Sequence, residues 1–423
     1  MPMSTSFKER LFPKLNQIVN HFGTPFHIYD ETGIINTSRT LLNAFSEVPY
    51  FREYYAVKAL PNPAILEIMK GMGFGFDCSS IAELILSRNT GAFGEDIMFT
   101  SNNTSADEFA MALGYGGCIL NLDDISLISK LPYMPELICF RYNPGAKRSG
   151  NTIIGNPVEA KYGVSHDQLI DAYRLAIQHG AKRFGLHTML VSNELNYQYM
   201  VDTGQMLLEL VEYISQELHI QFEFINMGGG IGIPYKPGDN PFDIMALGNA
   251  VSKQLDAFQK KHGYCPKLFL ESGRYMTGPH GVLVTQAINY KNIYRKYIGV
   301  DACMSSLMRP GIYGAYHHIS VLGKEDQPNT ILYDVTGSLC ENNDKFAIQR
   351  PLPEIIDGDI LIIQDTGAHG HAMGFNYNGR LRPKELMLKT NGAVELVRRE
   401  ETISDHFSTL HFEPNILNLD SHD

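Results

Sequence analysis

The residues of this chain that could do chemistry stand at the ends of short apolar runs. Lys58 closes Tyr54-Tyr55-Ala56-Val57 and is followed at once by Ala59-Leu60-Pro61-Asn62-Pro63. An amine at the C-terminal mouth of a buried strand is desolvated, which lowers its pKa and makes it nucleophilic enough to form a Schiff base with an aldehyde. A lysine snorkelling from a strand end is the plainer alternative. Gly228-Gly229-Gly230-Ile231-Gly232 follows another apolar run. Successive glycines let backbone N–H groups converge on an anion such as phosphate, although the spacing is not GxGxxG and a tight strand exit would use the same residues. Glu271-Ser272-Gly273-Arg274 offers a carboxylate able to keep a pyridine nitrogen protonated and a guanidinium able to grip phosphate, or else a plain ion pair. Cys340-Glu341-Asn342-Asn343-Asp344 sets a thiol beside acids, suited to proton donation and ammonium binding, or forms a polar turn. Met308-Arg309-Pro310 with Tyr313, and Gly367-Ala368-His369, complete the polar set. His317-His318 and His369-Gly370-His371 lack further ligands at usable spacing, so no metal is expected.

A regular rhythm positions these groups. Strand-like runs at 53–58, 74–77, 97–100, 118–121, 137–142, 184–189, 222–227 and 267–271 alternate with amphipathic stretches at 63–71, 81–89, 106–114, 123–131, 166–179, 199–218 and 241–262. That alternation over about 220 residues predicts parallel βαβ units closing into a (β/α)8 barrel, with a doubly wound sheet as the competing fold. A barrel gathers its active site at the C-terminal strand ends, and those ends carry Lys58, Asp77, Arg141, a position near His187, the glycine run and Glu271. After Arg274 the helical spacers vanish. Runs at 281–290, 319–322, 330–335, 359–364, 386–389 and 395–398 predict an antiparallel β-domain. The expected division is therefore 1–40, an N-terminal strand and helix joining the C-terminal β-domain; 41–280, the barrel; and 281–423, the β-domain.

The composition suits an ordinary soluble globular protein of 423 residues, 44% hydrophobic and 19% charged. A net charge of -11 without a basic cluster argues against nucleic acid or an anionic membrane as partner. The first residues, Met1-Pro2-Met3-Ser4-Thr5-Ser6-Phe7-Lys8, lack the apolar stretch of a signal peptide, and no run approaches a transmembrane span. Six cysteines without CxxC spacing fit reduced thiols and a cytoplasmic location.

Taken in order, the motifs resemble the fold-type III pyridoxal-phosphate decarboxylases, and among them the diaminopimelate decarboxylases. The likeness runs from Phe22-Gly23-Thr24-Pro25 through Tyr55-Ala56-Val57-Lys58-Ala59, Phe76-Asp77-Cys78-Ser79-Ser80 with Glu83, Lys161-Tyr162-Gly163-Val164, the glycine run, Glu271-Ser272-Gly273-Arg274, Met308-Arg309-Pro310, Cys340-Glu341 and Asp365-Thr366-Gly367-Ala368. The resemblance implies pyridoxal 5'-phosphate as cofactor, with Lys58 as its Schiff-base lysine and Asp77 nearby. Gly228, Gly229, Gly230, Gly273 and Arg274 would bind the phosphate, and Glu271 would pair with the pyridinium nitrogen. Arg274, Arg309, Tyr313 and Glu341 would contact an amino-acid substrate, and Cys340 would protonate the carbanion left by carbon dioxide. It implies a homodimer in which Cys340 and its neighbours come from the partner, and meso-diaminopimelate to L-lysine as the leading reaction.

Two departures bear on the substrate. Where the family reads Gly-Leu-His-x-His-x-Gly-Ser, this chain has Gly185-Leu186-His187-Thr188-Met189-Leu190-Val191-Ser192, so Met189 replaces a ring-stacking histidine. Ser192 keeps its place near the cofactor. His369 stands where the family has a tyrosine near the phosphate. Carboxynorspermidine, ornithine conjugates of siderophore pathways and carrier-bound amino acids are therefore further candidate substrates. A non-catalytic, cofactor-binding regulatory homologue is the reading from another class.

Overall fold

The structure, a computed structural model, describes residues 3–150 and 155–411. Met1 and Pro2, and residues 412–423 at the end of the expected β-domain, lie outside the described residues. After α1 (Thr5–Phe22), β1 (Phe26–Asp30) and α2 (Glu31–Ala44), eight strands close into a parallel barrel. They are β2 (Arg52–Ala56), β3 (Gly75–Cys78), β4 (Gly94–Phe99), β5 (Cys118–Leu122), β6 (Leu137–Tyr142), β7 (Arg183–Thr188), β8 (Phe222–Asn226) and β9 (Lys267–Leu270). This is the expected (β/α)8 architecture rather than the doubly wound sheet. Side chains from six of these strands, Tyr54, Met98, Ile119, Leu137, Cys139, Phe224 and Phe269, form a buried cluster apart from the larger one beneath the helices, and so fill the barrel.

Local chemistry sets the helix starts. Asn62 accepts from the Ala64 N–H at 3.0 Å ahead of Pro63, starting α3 (Pro63–Gly71). Ser80 caps α4 (Ile81–Asn89), and Ser105 with Glu108 forms a capping box on α5 (Ala106–Leu113). The barrel is completed by α6 (Leu169–Gln178), α7 (Tyr197–Leu218) and α8 (Ile244–His262). Three sequence expectations shift. Lys58 lies one turn past its strand, in the 3-10 turn Val57–Ala59. The helix expected at 123–131 is a 3-10 segment, Ile125–Lys130, capped by Asp124, which accepts from the Ser126 N–H. α8 begins at Ile244 rather than Pro241, because Asp243 caps it by accepting from Ala246 N–H.

The second domain is β10 (Gly281–Asn292), β11 (Lys296–Val300), β12 (Ile319–Val321), β13 (Ile331–Thr336), β14 (Lys345–Leu352), β15 (Ile360–Ile363), β16 (Lys384–Leu388) and β17 (Val394–Arg398). With β1 they form one nine-stranded sheet. Most pairings are antiparallel, but β1 runs parallel to β16 and β11 parallel to β13, so the sheet is mixed. β11 and β14 escape the sequence pattern: β11 follows a three-residue turn and contains Gly299, and β14 holds Pro351, tolerated because it lies at the sheet edge. β1 lies between β10 and β16, and α1 packs its Phe7, Leu11, Leu15 and Ile18 on that sheet's core.

Candidate active site

Lys58, Asp77, Met189, Ser192, Gly229, Gly230, Glu271, Gly273, Arg274 and His369 line one cavity of about 380 Å³ at the C-terminal mouth of the barrel. Lys58 projects into it with its side chain 49% exposed, and Nζ donates to Asp77 Oδ2 at 3.3 Å and lies 3.4 Å from Ser79 Oγ. Glu83 holds the Ser79 N–H at 2.6 Å. The sequence expectation that Lys58 has a lowered pKa is overturned. Desolvation lowers it, but Asp77, Glu271 and Glu83 together outweigh that and hold it above its usual value.

Two carboxylates share the cavity floor and split in opposite directions. Burial, then repulsion by Glu271, pushes Asp77 well above the carboxylate range despite Lys58. Burial also works against Glu271, yet His187, Lys58 and Asn226 hold it low. His187 Nε2 is 3.2 Å from Glu271 Oε2, and Asn226 Nδ2 donates to Oε1 at 2.8 Å. Glu271 is thus kept ionised, as a partner for a cationic ring nitrogen must be, while Asp77 Oδ1 and His187 Nδ1 are buried without a hydrogen-bond partner among the described residues.

The far wall is a backbone cradle. Gly228 (φ +67°) and Gly230 (φ +105°) take conformations that favour glycine, and a Cβ on Gly228, Gly229 or Gly230 would collide with the carbonyl oxygens of Thr188, Glu271 and Val191. Gly228 itself is not among the lining residues; its N–H donates to Asn226 Oδ1 at 2.8 Å. The Gly229 N–H donates to the Met189 thioether at 3.2 Å. Arg274 donates to Ser192 Oγ at 3.2 Å and to Tyr235 OH at 2.6 Å. Burial and the cations Arg274, Arg309 and Lys58 keep His369 neutral, well below the usual imidazole range. A glycine cradle, an arginine beside it, an amine and an ionised carboxylate fit an aldehyde-bearing pyridine phosphate.

A profile of the pyridoxal-dependent decarboxylases, covering their pyridoxal-binding domain, matches residues 34–278. The chain belongs to the pyridoxal-dependent decarboxylases. It is a pyridoxal-phosphate-dependent carboxy-lyase. Protein TabA of Pseudomonas amygdali pv. tabaci is 46% identical over 98% of this chain and 97% of its own. Diaminopimelate decarboxylase of Methanothermobacter thermautotrophicus is 36% identical over 92% of each chain. The structure of diaminopimelate decarboxylase from M. jannaschii in complex with L-lysine matches with a TM-score of 0.87 at 27% identity, covering 95% of both chains.

Within this decarboxylase fold, four expected site residues besides Gly228 stand apart from the cavity lining. Arg309 is buried beside it, donating to Tyr235 OH at 2.9 Å. Tyr313 and Cys340 are exposed and Glu341 half-buried, and none of the three lines the cavity. The Cys340 N–H donates to Asn378 Oδ1, and the Asn343 N–H to the Glu341 carboxylate, so the segment is an ordered polar turn in its own chain. Sequence reading missed Tyr235 and the buried Glu53, which accepts from the Ser272 N–H, and weighed His317 only as a metal ligand; Tyr235 and His317 share hydrogen bonds with Arg309. Tyr235 follows Gly232, the last residue of the glycine run, by three residues, a spacing that could have flagged it. Among the described residues no group of three or more His, Cys, Asp or Glu could hold a metal ion, and no helix is long and apolar enough to cross a membrane.

Proposed function

We propose that this decarboxylase converts meso-2,6-diaminopimelate to L-lysine and carbon dioxide, a step of lysine biosynthesis, in the cytoplasm. One observation carries the substrate: Arg274 and Arg309 are buried together on one phenol without a carboxylate partner among the described residues, a receptor for a second anionic group beyond the one that leaves. The named relatives and neighbours that decarboxylate diaminopimelate support it.

Lys58 would hold the cofactor's aldehyde carbon, with Asp77 beside it. Gly228, Gly229, Gly230, Gly273 and Arg274, with Ser192 and His369 nearby, would surround its phosphate. Glu271 would face the ring nitrogen and Met189 the ring. Bound pyridoxal phosphate supplies the electron sink for the pair left when the bond between Cα and the carboxylate breaks and carbon dioxide departs. A proton must then reach Cα. Cys340 is exposed in its own chain, so we assign that proton to the partner's Cys340 in a homodimer, with the partner's Glu341 at the substrate's far amine and Tyr313 at the cavity rim. Residues 41–280 are then the cofactor barrel, and 1–40 with 281–423 the domain that brings these groups.

Purified holoenzyme should release carbon dioxide from meso-diaminopimelate and form L-lysine; no release sinks this substrate. Co-expressed Lys58→Ala and Cys340→Ala chains, each inactive alone, should recover about one quarter of wild-type activity through mixed dimers. Met189 and His369 in the cavity favour a second reading, the decarboxylation of a related amino acid such as carboxynorspermidine or an ornithine conjugate, which a substrate panel separates.

A further inference from the structure

Arg274 and Arg309 are buried cations whose Nη1 atoms both donate to one oxygen, Tyr235 OH, at 2.6 and 2.9 Å. Two guanidiniums on one phenol oxygen repel one another, and burial strengthens the repulsion. Something must hold Arg309 in place against it. Arg309 Nη1 also lies 2.9 Å from His317 Nε2, while His317 Nδ1 is 2.8 Å from the Gln364 carbonyl oxygen. A carbonyl only accepts, so the imidazole proton sits on Nδ1 and Nε2 presents its lone pair to the guanidinium. Burial, reinforced by Arg309, holds this imidazole neutral, with a pKa of about 3. The Tyr235 ring completes the clamp: it packs edge-on to His317 at 5.2 Å, and the Arg309 guanidinium stacks over it at 4.7 Å. Tyr235 and His317 thus contribute two acceptors and a π face, and neither is a carboxylate. No carboxylate among the described residues pairs with either arginine, and Arg274 lines the cavity.

We propose that Tyr235 and His317 are positioning residues that aim Arg274 and Arg309 as a two-guanidinium receptor for a carboxylate at the far end of the substrate. The inference rests on the reading of the substrate as a dicarboxylate. A carboxylate at Tyr235 or His317 would satisfy the arginines internally and abolish the receptor; a neutral acceptor leaves them free to bind.

The test uses holoenzyme and two readouts. Pimelate, a seven-carbon dicarboxylate, is titrated calorimetrically, and kcat and KM are measured separately with diaminopimelate. Tyr235→Phe and His317→Leu should each weaken pimelate binding and raise KM by roughly tenfold or more, with kcat changed much less. His317→Gln, whose amide oxygen can accept from Arg309 where Nε2 did, should recover most of the loss. Wild-type enzyme that does not bind pimelate, or variants that leave its affinity unchanged, overturn the proposal. Pimelate bound by wild type and lost in the variants, with no turnover of diaminopimelate, upholds the receptor and sinks the substrate reading alone.

Discussion

Asp77 Oδ2 accepts from Lys58 Nζ across 3.3 Å, so the amine that projects into the cavity is paired with a buried carboxylate. This pairing, with Glu271 and Glu83 behind it, keeps the lysine charged until an aldehyde takes it. Lys58→Ala should cut decarboxylation by roughly a thousandfold or more and remove the yellow absorbance of lysine-bound cofactor. Borohydride reduction and peptide mapping of wild type should place the pyridoxyl group on Lys58. A label on another lysine defeats the assignment. Asp77→Asn removes the nearest stabilising charge, so aldehyde capture by apoenzyme should shift to lower pH.

The two domains are fastened by a second buried carboxylate. Glu385 on β16 accepts from Tyr29 OH at 2.6 Å, from Asn62 Nδ2 at 3.2 Å and from Arg398, while Arg398 also donates to the Pro61 carbonyl. Asn62 caps α3, immediately after the loop carrying Lys58, so the sheet grips the barrel beside its amine. Glu385→Ala strands a guanidinium, a phenol and an amide together. It should cost about 3 kcal/mol or more in urea unfolding, against about 2 kcal/mol for Asn62→Ala, which removes one arm and the α3 cap.

Most of this architecture was legible because period and chemistry agreed. The strand at 137–142 and the helices at 63–71 and 81–89 match β6, α3 and α4 residue for residue, since Pro63 and Ser80 mark the helix starts and apolar runs bounded by turns mark the strand. Legibility failed where a tertiary partner overrode local pattern. The parallel pairing of β1 with β16 joins residues more than three hundred positions apart, which no local period encodes. The charge state of Lys58 depends on three carboxylates from separate segments, so burial alone gave the wrong direction. Tyr235 and His317 reach Arg309 only through the fold, and Cys340 is chemically apt yet faces out of its own chain.

His280 provides a test of burial on stability. It is buried, its Nε2 is 2.7 Å from Thr37 Oγ1, and burial alone lowers its pKa to about 4. An unfolded histidine takes a proton near pH 6.5, so between about 6.5 and 4 the unfolded state binds a proton that the native state refuses. Its contribution is therefore intact above pH 6.5 and lost as pH falls towards 4. His280→Gln has no such titration. The stability of the variant relative to wild type should rise by up to about 1.4 kcal/mol per pH unit on acidification through that window, measured by denaturant unfolding at a series of pH values. A difference that stays flat with pH contradicts a neutral, buried His280.

Glu53 tests whether a buried acid can serve as a neutral scaffold. It is fully buried at the seam of β2 and β9, where Oε1 accepts from the Ser272 N–H, within the segment that carries Glu271 and Arg274. Burial above all, with the nearby Glu271 and Asp77, pushes it well above the carboxylate range despite the Ser272 bonds, which favours its protonated form. A protonated acid and an amide have the same shape and the same accepting oxygen. Glu53→Gln should therefore change stability by less than about 1 kcal/mol and leave cofactor affinity within about threefold of wild type. Glu53→Leu removes the acceptor, leaves a buried N–H unpaired beneath the arginine loop and should cost about 2 kcal/mol, with cofactor affinity reduced roughly tenfold. Were Glu53 instead ionised and acting through its charge, the glutamine variant would fail as badly as the leucine one. Unfolding curves and equilibrium dialysis of pyridoxal phosphate on the two proteins decide between these outcomes.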